Sequence, residues 1–298
     1  MKKFNIKKIL IPLDFSETAL LALEHGAFMA SLFKADIILL HVVKPNWSVY
    51  AIEYPSGPYT LQEMEEYAMK KLEKIAENIR HEYTVGVELI CETGMVCPIV
   101  VSTADEHNAD IIMMGTHGAS GFEERFVGSN AYRVVNHANH PVMTIQSHAT
   151  KKGFKNILLP IDNSVYSTQK VNHAIDIAGH YGSKIHILGL SNTEDESEEY
   201  KLKIKLSQVE DLIGRYGLAH DKHIKRGINY AKSTMSYAEE IGADLIIIMT
   251  EWEESITGLF IGPFARQIVN HSKIPVMSIR PEVKLELVEP DIFWMMQH

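Results

Sequence analysis

Apolar and polar positions along the first half of the chain alternate between a strand-like and a helix-like period. Lys8-Ile9-Leu10-Ile11-Pro12-Leu13 is a short apolar run and predicts a strand. Ser16 offers an N-cap, and Glu17 starts an amphipathic pattern that predicts a helix to about Phe33. Asp36 to Val43 is almost continuously apolar, as expected of a central parallel strand covered on both faces. Residues 61–83 predict a charged amphipathic helix, Val87–Cys91 a strand, 96–107 a helix and Ile111–Met114 another buried strand. Ser129–His137 reads as a helix and Val142–Ile145 as a last strand. The order β-α-β-α-β-α-β-α-β, closed by right-handed crossovers, predicts an α/β fold: an open, doubly wound, five-stranded parallel sheet with helices on both faces.

The same text then recurs. At an offset of 134, Ala109, Asp110, Gly128, Val135, Asn136, His137, Pro141, Val142 and Met143 return as Ala243, Asp244, Gly262, Val269, Asn270, His271, Pro275, Val276 and Met277. Nearer the start the offset is 148, and Ile9, Pro12, Asp14, Ser16 and His25 return as Ile157, Pro160, Asp162, Ser164 and His173. The offset falls because the first copy carries a longer connection over residues 44–60, rich in proline and aromatics, read as a loop that folds over something. The expected organisation is one domain over 1–149, a second over 150–281 and a tail over 282–298. The polar stretch between the copies, near 148–153, is short, so they should pack closely rather than tumble.

Composition narrows the function classes. A chain of 298 residues with 46% apolar residues can build two cores. Its net charge of −9 recommends neither nucleic acid nor a membrane surface as a partner. No apolar stretch approaches about 18 residues, so no membrane span is expected. The basic start runs into Pro12 and Asp14 and reads as a strand rather than a signal peptide. Two cysteines, Cys91 and Cys97, fit a reducing cytoplasm, match no common zinc spacing and read as small buried hydrophobes.

Ligands of such sheets sit at the carboxyl ends of strands, where strand order reverses. Three pieces of the first copy end there: Leu13-Asp14, His41-Val42-Val43, and the stretch from Gly115-Thr116-His117-Gly118 to Gly128-Ser129. The last has the spacing Gly-x2-Gly-x9-Gly-Ser, between a strand and a helix, and suits an anion. Gly115 and Gly118 would let phosphate approach backbone amides. Ser129 is expected to cap a helix whose free N–H groups and positive end face the site. Asp14 is placed to take a ribose hydroxyl, to help hold a metal, or merely to cap the next helix; Val42 offers an apolar edge to a base. Other titratable groups have plainer readings. Glu123, Glu124 and Arg125 read as a solvated face, His137 and His271 as answers to a helix dipole, and Asp195 to Glu199 as a helix start. His220 and His223 read as a strand pair and a weak metal candidate, and Phe293 to Met296 as an apolar patch of the tail.

The spacing over 115–129, the opening ILIPLDFSETALLALEHGAFMA and the strand ILLHVV resemble the universal stress protein family, in its ATP-binding branch. The resemblance covers both copies. It implies an adenine nucleotide, ATP or its di- or monophosphate, arriving with Mg²⁺ or Mn²⁺. It implies that Pro12, Leu13 and Asp14 line the adenosine, with Val42 at the adenine. Met114, Gly115, His117 and Gly118 would border ribose and phosphates, and Gly128, Ser129 and Asn130 would hold the phosphates. It further implies pairing of the copies through their last strands, as a pseudo-two-fold pair. In the second copy Met249, Trp252 and Pro263 replace Gly115, Gly118 and Ser129, so that copy is not expected to bind ATP in the same manner.

Three function classes follow. The chain is a nucleotide-dependent regulator of a stress response, acting on an unidentified protein partner and open to homodimer formation; or a slow ATPase or self-phosphorylating enzyme; or a chaperone-like module with vestigial binding. The first is preferred. The intact glycine spacing argues against the module. The absence of a Gly-x4-Gly-Lys-Ser/Thr loop and of paired carboxylates to activate water argues against the enzyme.

Overall fold

The structure, a computed structural model, describes residues 4–44, 60–116, 128–192, 195–250, 252–255 and 258–282, with only the backbone of 252–255 and 258–260. The first half runs β1 (Lys8–Pro12), α1 (Glu17–Phe33), β2 (Asp36–Val43), α2 (Leu61–Tyr83), β3 (Val87–Thr93), α3 (Val96–Glu106), β4 (Ile111–Gly115), α4 (Ser129–His137) and β5 (Val142–Ile145). The second half runs β6 (Asn156–Ile161), α5 (Val171–Tyr181), β7 (Lys184–Ser191), α6 (Glu196–Arg215), β8 (His220–Arg226), α7 (Tyr230–Ile241) and β9 (Leu245–Met249). A hairpin, β10 (Trp252–Ser255) and β11 (Gly258–Ile261), then leads to α8 (Pro263–His271) and β12 (Val276–Ile279).

The two five-stranded sheets pair through their last strands, as the resemblance implied, and form one ten-stranded sheet. The order is β3-β2-β1-β4-β5-β12-β9-β6-β7-β8. Within this sheet every pairing inside a half is parallel, and β5 meets β12 antiparallel with Met143 opposite Met277. The reason is physical: β5 and β12 would otherwise be open edges, and pairing satisfies their exposed backbone groups. The antiparallel seam relates the halves by a pseudo-two-fold axis, so their carboxyl edges point in opposite directions.

Two apolar layers sandwich the sheet, and each runs through both halves. One packs α1, α2, α5 and α6 against residues such as Ile9, Ile37, Met143, Ile157 and Met277. The other packs α3, α4, α7 and α8 against Leu10, Ile38, Ile112, Leu158 and Ile246. Neighbouring residues of β1, β2, β4, β6 and β9 thus bury on opposite faces, which is why those strands read as unbroken apolar runs. Each such side chain contributes roughly 1.5–3 kcal/mol on burial.

Rings close the seam on the α1/α5 side. Phe33 stacks on His180 with centroids 3.8 Å apart, His25 faces Phe154 at 5.9 Å, and Phe4 packs on His173 at 4.2 Å. The connection between the halves is pinned to the first: Lys152 Nζ donates to Glu24 at 2.8 Å and to Tyr83 Oη at 2.5 Å. Tyr83 Oη donates to Glu24 at 2.9 Å.

Candidate functional site

The carboxyl ends of β1 and β4 form the crevice at which strand order reverses. β1 runs on as Leu13, whose N–H donates to Leu40 O at 2.8 Å. Asp14 Oδ1 then accepts from the Ser16 amide at 3.1 Å and its hydroxyl at 2.6 Å. Ser16 in turn caps α1, accepting from the Ala19 amide at 3.3 Å. Between them Phe15 takes a φ of 62°, the left-handed region that an L side chain enters at a cost of about 1–2 kcal/mol. That turn lays the Phe15 ring on His41 at 4.6 Å, and Lys71 Nζ lies 4.9 Å over its centre. His41 is buried and donates Nδ1–H to the Leu13 carbonyl at 2.7 Å; burial lowers its pKa, partly opposed by that bond. The sequence placed His41 at this end of β2 but did not show Phe15 and Lys71 as its neighbours.

The other wall comes from β4. Gly115 ends it, and the Thr116 amide donates to Ile145 O at 3.0 Å. Thr116 O accepts from the Gly128 amide at 2.5 Å, which draws together the two ends of the loop over 117–127. His117, Gly118 and Arg125 belong to that loop and lie outside the described residues, as do residues 45–59 of the longer connection and the tail from 283. Ser129 was expected to cap α4. Instead the cap is Gly128, whose carbonyl accepts from Tyr132 N at 3.1 Å, and Ser129 is the first helical residue. Gly128 has no side chain to bond the first-turn amides, and among the described residues no other side chain caps α4, so these amides open at the crevice mouth beside Gly115. Ser129 is exposed and Asn130 partly so.

The remaining predicted residues lie deeper. Pro12 is buried, and Leu13, Val42 and Met114 are exposed by 8% or less and belong to the cores. The structure thus brings Pro12, Leu13, Asp14, Gly115, Gly128, Ser129 and Asn130 to one end of the sheet, with Val42 and Met114 as its floor.

Gly115 has a further role. A Cβ there would sit 2.7 Å from the Thr18 carbonyl carbon and 2.8 Å from its oxygen. The missing side chain lets the first turn of α1 rest on β4.

The second half builds the same place differently. Ser164 repeats the turn, donating to Asp162 Oδ1 through its amide at 3.0 Å and its hydroxyl at 2.6 Å. The Asp-x-Ser turn is therefore a property of the fold in both copies. Met249 stands where Gly115 stood, and the counterpart of the start of α1 is a series of turns that become helical only at Val171. Lys205, the counterpart of Lys71, reaches into the crevice and donates to Asp162 O at 3.1 Å and Ser164 O at 2.9 Å. The segment between β9 and the last helix is the β10–β11 hairpin, and Pro263 is the first residue of α8.

The weaker candidates resolve as structural contacts. Asp195 caps α6 by accepting from the Ser197 amide at 2.8 Å. His137 donates Nδ1–H to Arg133 O at 2.8 Å, and His140 pairs with Asp105 at 2.9 Å. His220 bonds to Leu218 O and His223 stacks on Tyr237. Cys91 and Cys97 are both free, and burial pushes the Cys91 thiol up to about 11. Among the described residues no helix is long and apolar enough to cross a membrane, and no three His, Cys, Asp or Glu side chains gather as a metal cluster.

Fold and crevice together define a tandem of doubly wound α/β units fused through their last strands. Residues 5–146 and 153–280 each match the universal stress protein family, and the chain belongs to that family. It is 25% identical over 295 residues to a universal stress protein of Mycolicibacterium smegmatis, covering 92% of this chain and 97% of that one. It is 33% identical over 153 residues to a universal stress protein of Methanocaldococcus jannaschii, covering 47% of this chain and 94% of the relative. A universal stress protein structure from Archaeoglobus fulgidus superposes with a TM-score of 0.73 at 22% identity, covering 92% of this chain and 98% of the other. That last likeness carries the fold alone.

Proposed function

We propose that the first half binds an adenine nucleotide at the mouth between β1 and β4, and that its occupancy regulates a partner. The observation that carries this is the start of α4, which no described side chain caps. Its amides open on a neck formed by Gly115, Thr116 and Gly128, at the carboxyl end of the sheet. A helix start of this kind favours a polyphosphate through its free N–H groups and positive end. Ser129, Asn130, Gly128 and, in the adjoining loop, His117 and Gly118 hold the phosphates in this reading. Pro12, Leu13 and Asp14 line the adenosine, with Asp14 near the ribose; Val42 touches the adenine, and Met114 and Gly115 border the ribose and phosphates. The ligand is ATP, or ADP or AMP. Among the described residues Asp14 is the carboxylate at the mouth, and a Mg²⁺ or Mn²⁺ would be held by phosphate oxygens with Asp14 as a protein ligand.

The second half supports this reading by contrast. Lys205 already fills its crevice, and Pro263 supplies neither an amide nor a hydroxyl at the helix start. We therefore expect one nucleotide per chain.

The test exchanges one residue between copies. Proline at the first helical position suits a helix, so Ser129→Pro should fold normally. It removes one amide and one hydroxyl from the mouth and should weaken ATP binding about tenfold, the equivalent of one hydrogen bond of about 1.4 kcal/mol. Calorimetric titration with Mg-ATP measures both stoichiometry and the loss. An unchanged affinity, or two equivalent sites per chain, refutes the proposal. Turnover well above background in the same preparation would favour the slow enzyme instead.

A further inference from the structure

The described residues contain a cavity that lies beside the nucleotide mouth and is lined mostly by residues the nucleotide reading does not use. It is a groove of about 910 Å³ on the outer side of α3 and α4. Pro98, Val101 and Asp105 of α3 line one wall, and Asn130, Arg133 and His137 of α4 line the other. Those spacings of three, four and seven residues mark one continuous stripe on each helix, so the groove follows both helices for about 10–15 Å. Only Asn130 also belongs to the proposed nucleotide mouth.

Its chemistry is uneven along its length. Near the start of α3 the lining is apolar: Met95, Val96 and Cys97 join Pro98 and Val101. Met95 leaves 72% of its surface exposed, an unbranched and adaptable side chain held at a rim. Cys97 faces this wall as a neutral thiol, because burial raises its pKa against the pull of Arg133. Arg133 on α4 sets positive charge into the same groove, which Lys44 also lines. The acidic group lining it, Asp105, lies in the last turn of α3 and is paired with His140 at 2.9 Å. An apolar trough of this volume with a few convergent polar groups is the usual form of a small-molecule site.

We propose that the α3–α4 groove is a second ligand site, for a slender aliphatic carboxylate. The carboxylate sits on Arg133, whose planar guanidinium can take it with two hydrogen bonds. The chain lies along Met95, Pro98 and Val101. A neutral alcohol of the same length gains the apolar contact and loses the ion pair. This site stands independently of the nucleotide assignment.

Titration of the full chain with dansyl-undecanoate, followed by displacement with dodecanoate or dodecanol, tests the proposal. Saturable binding at one site per chain is expected, with dodecanoate the better competitor. Met95→Asp and Val101→Asp, which place a charge on the apolar wall, should each weaken the probe at least tenfold and leave Mg-ATP binding unchanged. Met95 is so exposed that its variant carries no folding risk. Arg133→Gln should weaken dodecanoate about tenfold and leave dodecanol as it was. Binding that never saturates, or that is indifferent to Met95→Asp and Val101→Asp, overturns the proposal. So does displacement of the probe by Mg-ATP together with loss of probe binding in Ser129→Pro, which would put the probe in the nucleotide mouth.

Discussion

Gly115→Val should destabilise the chain by about 2–3 kcal/mol in the absence of any ligand. The expectation comes from backbone, not from the site. A Cβ on Gly115 would lie 2.7 Å from the Thr18 carbonyl carbon, 2.8 Å from its oxygen and 3.0 Å from the Ala19 amide nitrogen. None of these is the end of a flexible side chain. The first turn of α1 must lift or unwind, and the Ser16 cap and its Asp14 contact go with it. The second half displays the outcome of the same exchange. With Met249 in place of Gly115, residues 165–170 form turns and the helix is 11 residues long rather than 17. Urea unfolding of the nucleotide-free protein measures the effect, with Gly115→Ala as a milder companion. A midpoint for Gly115→Val equal to that of the wild type would show that α1 does not depend on a bare position there. One corollary concerns function. Loss of ATP binding in Gly115→Val cannot by itself assign Gly115 to the phosphates, whereas Ser129→Pro leaves α1 untouched.

The elements of this fold were legible almost residue by residue, for a definite reason. Parallel strands buried on both faces show as unbroken apolar runs, and α1, β2, α2, α4 and β5 begin and end where the periodicity changes. The seam was not legible from periodicity, because β5 and β12 carry the same pattern whether their edges pair or stay open. The pairing came only with the family resemblance. At the mouth, residue types were legible and local geometry was not. Serine is a favoured cap, yet Gly128 takes that place and Ser129 becomes the first residue of α4. Phe15 in a left-handed turn has no signature in an aromatic residue, since φ above zero is usually announced by glycine or asparagine. Lys205 reads as one of several charges on an amphipathic helix. Only the tertiary structure shows that it turns inward to the carbonyls of Asp162 and Ser164, with burial lowering its pKa.

Acid should loosen the seam between the halves before it unfolds either half by other routes. His173 packs on Phe4 across the seam at 4.2 Å, and its pseudo-symmetric counterpart His25 faces Phe154 at 5.9 Å. Burial holds the pKa of His173 down to about 4, partly opposed by the Gln169 carbonyl. Burial lowers that of His25 as well, partly opposed by its bond to Ala149 O and with Lys152 and Glu24 nearby. Both are therefore neutral in the folded chain and become charged more readily in the unfolded one. For a base whose folded pKa is depressed, stability is complete above the unfolded value of 6.5 and falls as the pH drops from there toward 4. At pH 5 the unfolded chain binds nearly one proton more at His173, a loss of about 2 kcal/mol. His25 adds to that loss with the same sign. Denaturant midpoints at pH 7.5 and pH 5 measure the drop. His173→Asn removes the titrating group, so its own stability should vary less over that interval, by about the same 2 kcal/mol. An identical pH dependence in wild type and variant would mean that the ring at the seam takes up its proton without strain, and that acid acts on this protein elsewhere.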